Sequence, residues 1–239
     1  MEIIAAIPSY GRPERLKNLL GSKILADSVD DIFVLSQDKP LGSGRARKIL
    51  CEKIVAEYPK CLILMLDDDC TIGSYSNIRE VANLFKEHKN LGIVQLSGGN
   101  SQVSNDTVFR PIVFHCFMIN SELINNGINY SDHEQYFDEV DLSIKSYLAG
   151  YKNATTFRGI IRHDVNSGTD DSGIYKAIKD GNYKPETKIF ENYGKYISNK
   201  SGVHYAFKEL PNPDTIILNN LARTEHERNI SLVTCLQSC

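Results

Sequence analysis

A chain of 239 residues, 41% hydrophobic and 24% charged, can bury a substantial core and fits one large α/β domain or a domain with a C-terminal appendage. Its formal net charge of −3 and pI near 6.1 give no support to a strongly electrostatic nucleic-acid binder, although a local basic patch is compatible with a near-neutral total. No apolar stretch approaches the length of a membrane span, and the start lacks a basic region followed by a long apolar one. The expectation is therefore a soluble, cytoplasmic protein, which includes a viral or phage protein in a host cytoplasm. The six cysteines include no C-x-x-C pair, so neither a zinc ribbon nor a redox motif is indicated, and most are expected to be reduced and structural.

The first predicted strand, Glu2 to Ile7, breaks at Pro8. The turn Pro8-Ser9-Tyr10-Gly11-Arg12-Pro13 then leads into a helix from Glu14 to Leu25, where Leu16, Leu19, Leu20 and Ile24 keep helical spacing. Asp31 to Leu35 is the second strand, and the glycine-containing run Leu41 to Arg47 enters a helix from Ala46 to Glu57 that Pro59 stops. Leu62 to Leu66 is an apolar run suited to a strand buried on both faces of a parallel sheet, and it ends at three consecutive carboxylates, Asp67, Asp68 and Asp69. The alternation continues with a helix from Ile78 to His88, a strand from Leu91 to Leu96, a polar loop from Gly98 to Asp106, a strand from Ile112 to Ile119 and a short helix from Ser121 to Asn126. A helix opening at Phe137 to Asp141 and closed by Gly150 follows, and then a strand from Thr155 to Arg162 with His163 and Asp164 at its end. Beyond Val165 the composition shifts toward Tyr, Lys and Asn. A C-terminal helix from Thr215 to about Leu236 is expected, either docking or making an oligomer contact. Two regions result, an α/β domain over 1–165 and an extension over 166–239.

Four clusters fall at predicted strand ends or helix starts on one edge of the sheet, where open α/β folds bind ligands. Pro8 to Arg12 forms a turn that can approach a ligand closely. Asp38 stands before Gly42 to Arg47, a loop running into a helix N-terminus that offers backbone N–H groups to phosphate, with Arg45 and Arg47 adding guanidinium forks. G-S-G-R reads equally as a flexible loop with solvated arginines. Asp67 and Asp69, separated by one residue, would point to the same side of an extended segment and share a divalent cation, unless the triplet is only a solvated cap. Asp138, Glu139 and Asp141 open a helix, either as caps or with one of them taking a proton, and His163 stands at a strand end.

In order, these motifs resemble the GT-A glycosyltransferases, particularly the inverting group called family 2. The matching stretches are Ile7-Pro8-Ser9-Tyr10, Gly44-Arg45-Ala46-Arg47-Lys48, Asp67-Asp68-Asp69, and Asp138-Glu139-Val140-Asp141-Leu142 with Gly150, spanning residues 1 to 165. Lys48 replaces the usual Asn, and the family's Glu-Asp pair is inverted to Asp138-Glu139. The resemblance implies a Rossmann-like, mostly parallel sheet flanked by helices, and transfer of a sugar from a nucleotide-sugar donor, UDP-linked by expectation, to an acceptor hydroxyl. It implies that Pro8, Ser9, Tyr10, Arg12 and Asp38 border the nucleoside, that Arg47 reaches the diphosphate, and that Asp67, Asp69 and His163 hold Mn²⁺ or Mg²⁺. Asp68 would face away or toward the donor sugar. Glu139 would be the base, with Asp138 as the alternative.

The acceptor implied is a glycan or small molecule. Shorter matches, I-P-S-Y-x-R-P, L-G-x-G-x-x-R and L-D-D-D, also resemble phage-type enzymes that glycosylate hydroxymethylated pyrimidines in DNA, with Lys176, Lys179, Lys184, Lys188, Lys195 and Lys200 available for phosphates. A sugar-nucleotide pyrophosphorylase would want its Gly-rich loop directly after the first strand, where this chain has Pro-Ser-Tyr. A non-catalytic sugar-nucleotide-binding protein would need neither metal nor base. Oligomeric state is not read from the sequence.

Overall fold

The computed structural model describes residues 1–37, 41–74, 76–96, 107–109, 116–132, 138–159, 161–163, 197–199 and 205–207. The chain divides into two units, Met1–Asp164 and Val165–Cys239. In the first, a seven-stranded sheet has the order β2-β1-β3-β7-β5-β8-β6. Its strands are β1 (Glu2–Tyr10), β2 (Asp31–Gln37), β3 (Cys61–Met65), β5 (Leu91–Leu96), β6 (Thr107–Phe109), β7 (Phe117–Asn120) and β8 (Lys152–Thr156). β1 pairs in parallel with both β2 and β3, and β5 with β8, whereas β7 runs antiparallel between β3 and β5 and β6 antiparallel to β8. Five of the seven strands thus share one direction, the mostly parallel α/β sheet the alternation predicts. A separate pair joins β4 (Cys70–Ile72) to β9 (Ile161–His163). The described elements of the second unit are β10 (Ile197–Asn199) and β11 (Tyr205–Phe207), paired antiparallel.

The continuous apolar runs are explained by burial on both faces. Odd and even residues of β1 and β3 go to different cores. Ile3, Ala5, Ile7, Leu62 and Leu64 pack with Leu19, Leu25, Val81, Leu84 and Phe85 of α1 (Pro13–Leu20), α2 (Lys23–Ser28) and α4 (Ile78–Glu87). Ile4, Ala6, Ile63 and Met65 pack with Leu50, Ile54, Leu123 and Leu142 of α3 (Ser43–Glu57), α5 (Ser121–Asn125) and α6 (Asp138–Leu148). This segregation is the period of two expected of a strand, carried by a run that is apolar throughout.

Four local expectations change. β1 does not stop at Pro8 but pairs with β2 through Tyr10. The ladder with β3 ends at Ala6 opposite Met65, with a further bond from the Leu66 N–H to the Ala6 carbonyl at 3.0 Å. Pro8, two residues on, presents its N–H-less nitrogen to that vacated side, where no ladder bond is lost. The expected helix from Glu14 to Leu25 is two helices. Gly21 closes α1, and the Ser22 hydroxyl accepts from the Leu25 N–H at 3.4 Å to cap α2. α3 begins at Ser43 rather than Ala46, after Gly42 at φ 87°. The strand expected over Thr155 to Arg162 is split into β8 and β9 by a bend over 157–159. The expected strand start at Ile112, the loop Gly98 to Asp106, the C-terminal tyrosine-rich stretch apart from the backbone of Tyr205, and the C-terminal helix lie outside the described residues.

Candidate functional site

The site forms where β1 lies between β2 and β3, the point at which the order of winding reverses and the loops beyond the strand ends leave a crevice. β3 ends at Met65, and Leu66 to Cys70 turns sharply, with the Cys70 N–H bonding to the Asp67 carbonyl at 3.1 Å. Asp67 and Asp69 are therefore on a turn and not on an extended segment, and their carboxylates go to different arginines. Asp67 Oδ1 lies 2.7 Å from Arg47 Nη2, whereas Asp69 Oδ2 lies 2.6 Å from Arg12 Nη1 and 3.7 Å from Arg15 Nη1. Asp68 points inward. It accepts from the Ser9 hydroxyl at 2.7 Å and pairs with Arg12 Nη2 at 2.6 Å, and its side chain is fully buried. Burial raises its carboxyl above the ordinary range. The Ser9 hydrogen bond and Arg12 oppose the rise, and Asp69 and Asp67 add to it.

Arg47 joins β3 to α6. Its guanidinium is buried, with Nη1 2.5 Å from Asp138 Oδ2 and 2.6 Å from Glu139 Oε1, while Nη2 holds Asp67. Burial alone would lower its pKa, but Asp138, Glu139 and Asp67 outweigh that and hold it well above the ordinary value. Asp138 also accepts from the Ser43 hydroxyl at 3.1 Å. Burial pushes the Asp138 carboxyl up to about 7; Arg47 opposes this, and Glu139 reinforces it. Asp141 turns away to Ser131 at 2.8 Å and Lys145 at 2.8 Å, so it belongs to the packing of α6.

The structure thus gathers these residues into two ion-pair groups that meet at the acidic turn, Ser9 and Arg12 with Asp68 and Asp69, and Arg47 with Asp67, Asp138 and Glu139. Pro8 is half-buried, Tyr10 and Arg45 are exposed, and Asp38 lies outside the described residues. The backbone of His163 lies opposite Cys70, beside the acidic turn. Lys176, Lys179, Lys184, Lys188, Lys195 and Lys200, named for a DNA acceptor, lie outside the described residues. Sequence reasoning missed Ser43, Arg15 and Tyr130. Arg15 follows Arg12 by three residues and so was readable as a neighbour on the first turn of a helix. Tyr130 is buried behind Arg47, and among the described residues its hydroxyl and Arg47 Nε have no hydrogen-bond partner. Nothing in its sequence context marks it.

Five carboxylates face three guanidinium groups here, an excess of two negative charges when all are ionised. Among the described residues no three His, Cys, Asp or Glu side chains are grouped to hold a metal ion. The donor set nonetheless fits a hard dication in chemistry and charge, because carboxylate oxygens are its preferred ligands. Entry of the ion would loosen existing guanidinium contacts. A cleft of about 460 Å³ adjoins the network, lined by Ser9, Gly11, Arg12, Leu16, Ser36 and Gln37 among others. Among the described residues no helix is long and apolar enough to cross a membrane.

No protein-family model matches the chain, and no curated protein matches it in sequence. It is similar to several solved structures. One is S. aureus TarS 1-349, at 14% identity over 67% of this chain and 58% of that one, with a TM-score of 0.46; that protein was also solved in complex with UDP-GlcNAc. A second is A197 from STIV, at 12% identity over 69% and 86%, TM-score 0.48. A third is GalNAc-T7 with UDP, GalNAc and Mn2+, at 13% identity over 68% and 44%, TM-score 0.48. The chain thus spans little more than half of the TarS fragment. At such identities and scores the likeness is one of fold and carries nothing about donor, metal or acceptor.

Proposed function

We propose that the protein is a glycosyltransferase that moves a sugar from a nucleotide-sugar donor, UDP-linked in the first instance, to a hydroxyl of a glycan or small molecule, with inversion. The observation that carries the reading is the acidic turn, where Arg47 ties Asp67 to the two carboxylates opening α6 and Asp68 bonds Ser9 and Arg12, which line a cleft of about 460 Å³. The nucleoside occupies the cleft lined by Ser9, Arg12 and Gln37. Arg12, with its side chain 29% exposed, turns a guanidinium to the diphosphate, and Arg47 keeps the acids in place. Asp67 and Asp69 would hold Mn²⁺ or Mg²⁺, with His163 as a third ligand, and the ion when bound supplies charge neutralisation for the departing nucleoside diphosphate. Glu139 accepts the proton of the acceptor hydroxyl as that oxygen attacks the anomeric carbon from the side opposite the leaving group. Asp138, whose carboxyl burial pushes up to about 7, hydrogen-bonds to Arg47 and Ser43 beside Glu139.

The test is a thermal-shift screen of nucleoside diphosphates and sugar nucleotides with and without Mn²⁺, followed by donor-hydrolysis assays on the wild type and on Asp69→Ala. A ligand that binds the native state raises its melting temperature by linkage. A Mn²⁺-dependent rise with UDP or a UDP-sugar that Asp69→Ala abolishes is the expected result. Full activity of Asp69→Ala would remove the metal role. Donor binding without turnover on any acceptor would instead indicate a sugar-nucleotide-binding protein.

A further inference from the structure

Two thiols meet beside the acidic turn. Cys70 follows Asp69 and begins β4, and Cys116 stands immediately before β7. Their Sγ atoms are 2.9 Å apart although 46 positions separate the residues. Two carbon atoms at rest are about 3.5–4.0 Å apart, and sulfur is the larger atom, so these two are pressed together beyond ordinary packing. Closing to a disulfide bond of about 2.03–2.05 Å needs about 0.9 Å of further approach. The positions are set by the fold and not by floppy side chains. Cys70 is in register with His163. The Cys116 carbonyl accepts from the Leu96 N–H at 2.9 Å, and its backbone is held at φ 27°, an unfavourable region for a residue with a side chain. Both are buried, Cys70 at 6% and Cys116 at 5% exposure.

We propose that Cys70 and Cys116 are a reversible disulfide pair, a modification site that ties the exit of the acidic turn to the start of β7. Their burial favours a small oxidant, and a peroxide balances the chemistry. One thiolate attacks a peroxide oxygen, giving a sulfenic acid and, with hydrogen peroxide, one water. The second sulfur then displaces the sulfenic oxygen as a second water, forming the S–S bond. The two sulfurs lose two electrons in all, the two peroxide oxygens gain them, and a dithiol reductant reverses the change. The cross-link fixes the turn that carries Asp67 to Asp69 against the sheet. This rests on the thiol geometry alone, and its failure would leave the glycosyltransferase reading where it stands.

The experiment uses the full reduced chain. It is treated with hydrogen peroxide, the remaining thiols are blocked with N-ethylmaleimide, and non-reduced peptides are mapped by mass spectrometry. The expected product is a Cys70–Cys116 linked peptide, consuming two of the six thiols, in roughly tenfold excess over any other pairing because among the described cysteines this is the pair whose sulfurs are in contact. The peptide disappears with dithiothreitol, and the excess is lost when the same treatment is carried out in concentrated urea. Cys116→Ser removes that peptide without creating another Cys70 link. Sulfinic or sulfonic acid at either residue in place of the link, or predominance of another cysteine pair in the native protein, overturns the proposal. The wild-type map decides the matter even if the variant does not fold.

Discussion

Asp138 offers a test of the site that needs no substrate. It is 1% exposed, and burial, partly offset by Arg47 and reinforced by Glu139, lifts its carboxyl from 3.8 to about 7. Between those two values the native protein holds a proton that the unfolded chain has released, so stability falls as pH rises through the window. The contribution is fully present below the unfolded value and gone above the folded one. At about 1.4 kcal/mol per unit, the loss between about pH 5 and about pH 8 is about 2–3 kcal/mol. Asp138→Asn removes the titration. Its amide oxygen can still accept from Arg47 and its amide nitrogen can donate to the Ser43 hydroxyl, so the network keeps its shape. Thermal unfolding of both proteins at the two pH values, in chelator so that no ion intervenes, should show the variant gaining on the wild type as pH rises, by a melting-temperature difference of roughly 4–12 °C. A gap of the same size at both values, or one that narrows toward pH 8, would refute the reasoning. It would mean that Arg47 overcomes burial and keeps Asp138 ionised throughout.

Arg47→Met strands three carboxylates and should cost about 3–5 kcal/mol in chemical denaturation; Arg47→Lys should recover only part of it, since a point charge cannot span Asp67 and the α6 pair at once. Glu139→Gln should lower turnover by about 10²–10⁴-fold while leaving the donor-induced thermal shift intact, and unchanged turnover would move the base role to Asp138. Gly92→Ala would place a Cβ 2.6 Å from Ser146 Oγ and 3.0 Å from Tyr151 Cβ; the overpacking should cost about 1–3 kcal/mol, visible as a lower urea midpoint with the slope of the transition unchanged.

How far the residues disclose this arrangement depends on the range of the interaction that decides each feature. β5 was readable to the residue, because Leu91 to Leu96 is a short apolar run between polar breaks. The clustering of Ser9, Asp67 and Asp138 at one edge followed from placing each at a strand end or helix start. Local competition misled at Gly21-Ser22, where a good cap beat continued helical spacing, and at Pro8, where the cost of the missing N–H depends on which neighbouring strand has already ended. The partners of Arg47 were not legible at all. Its ordinary surroundings in sequence suggest a solvated or phosphate-facing side chain, and what turns it inward is that β3 and α6, 20 and 91 positions away, both deliver carboxylates to its guanidinium. The turn at Asp67 likewise escaped notice, since a run of acids after an apolar strand says nothing about whether the chain goes on extended.

The small sheet of β4 and β9 sets where the protein can be shortened. β4 leaves the acidic turn, and its only paired strand among the described residues comes some ninety positions later, at Ile161 to His163. A truncation ending at Thr156 would keep every strand of the large sheet and still leave β4 as an unpaired ribbon, with Thr71 and Ile72 deprived of their cross-strand neighbours. A fragment carried through His163 would retain that clasp. Comparing the two fragments by amide hydrogen exchange at 70–72 would show whether the segment that closes the acidic turn depends on residues so far along the chain, with protection expected only in the longer one.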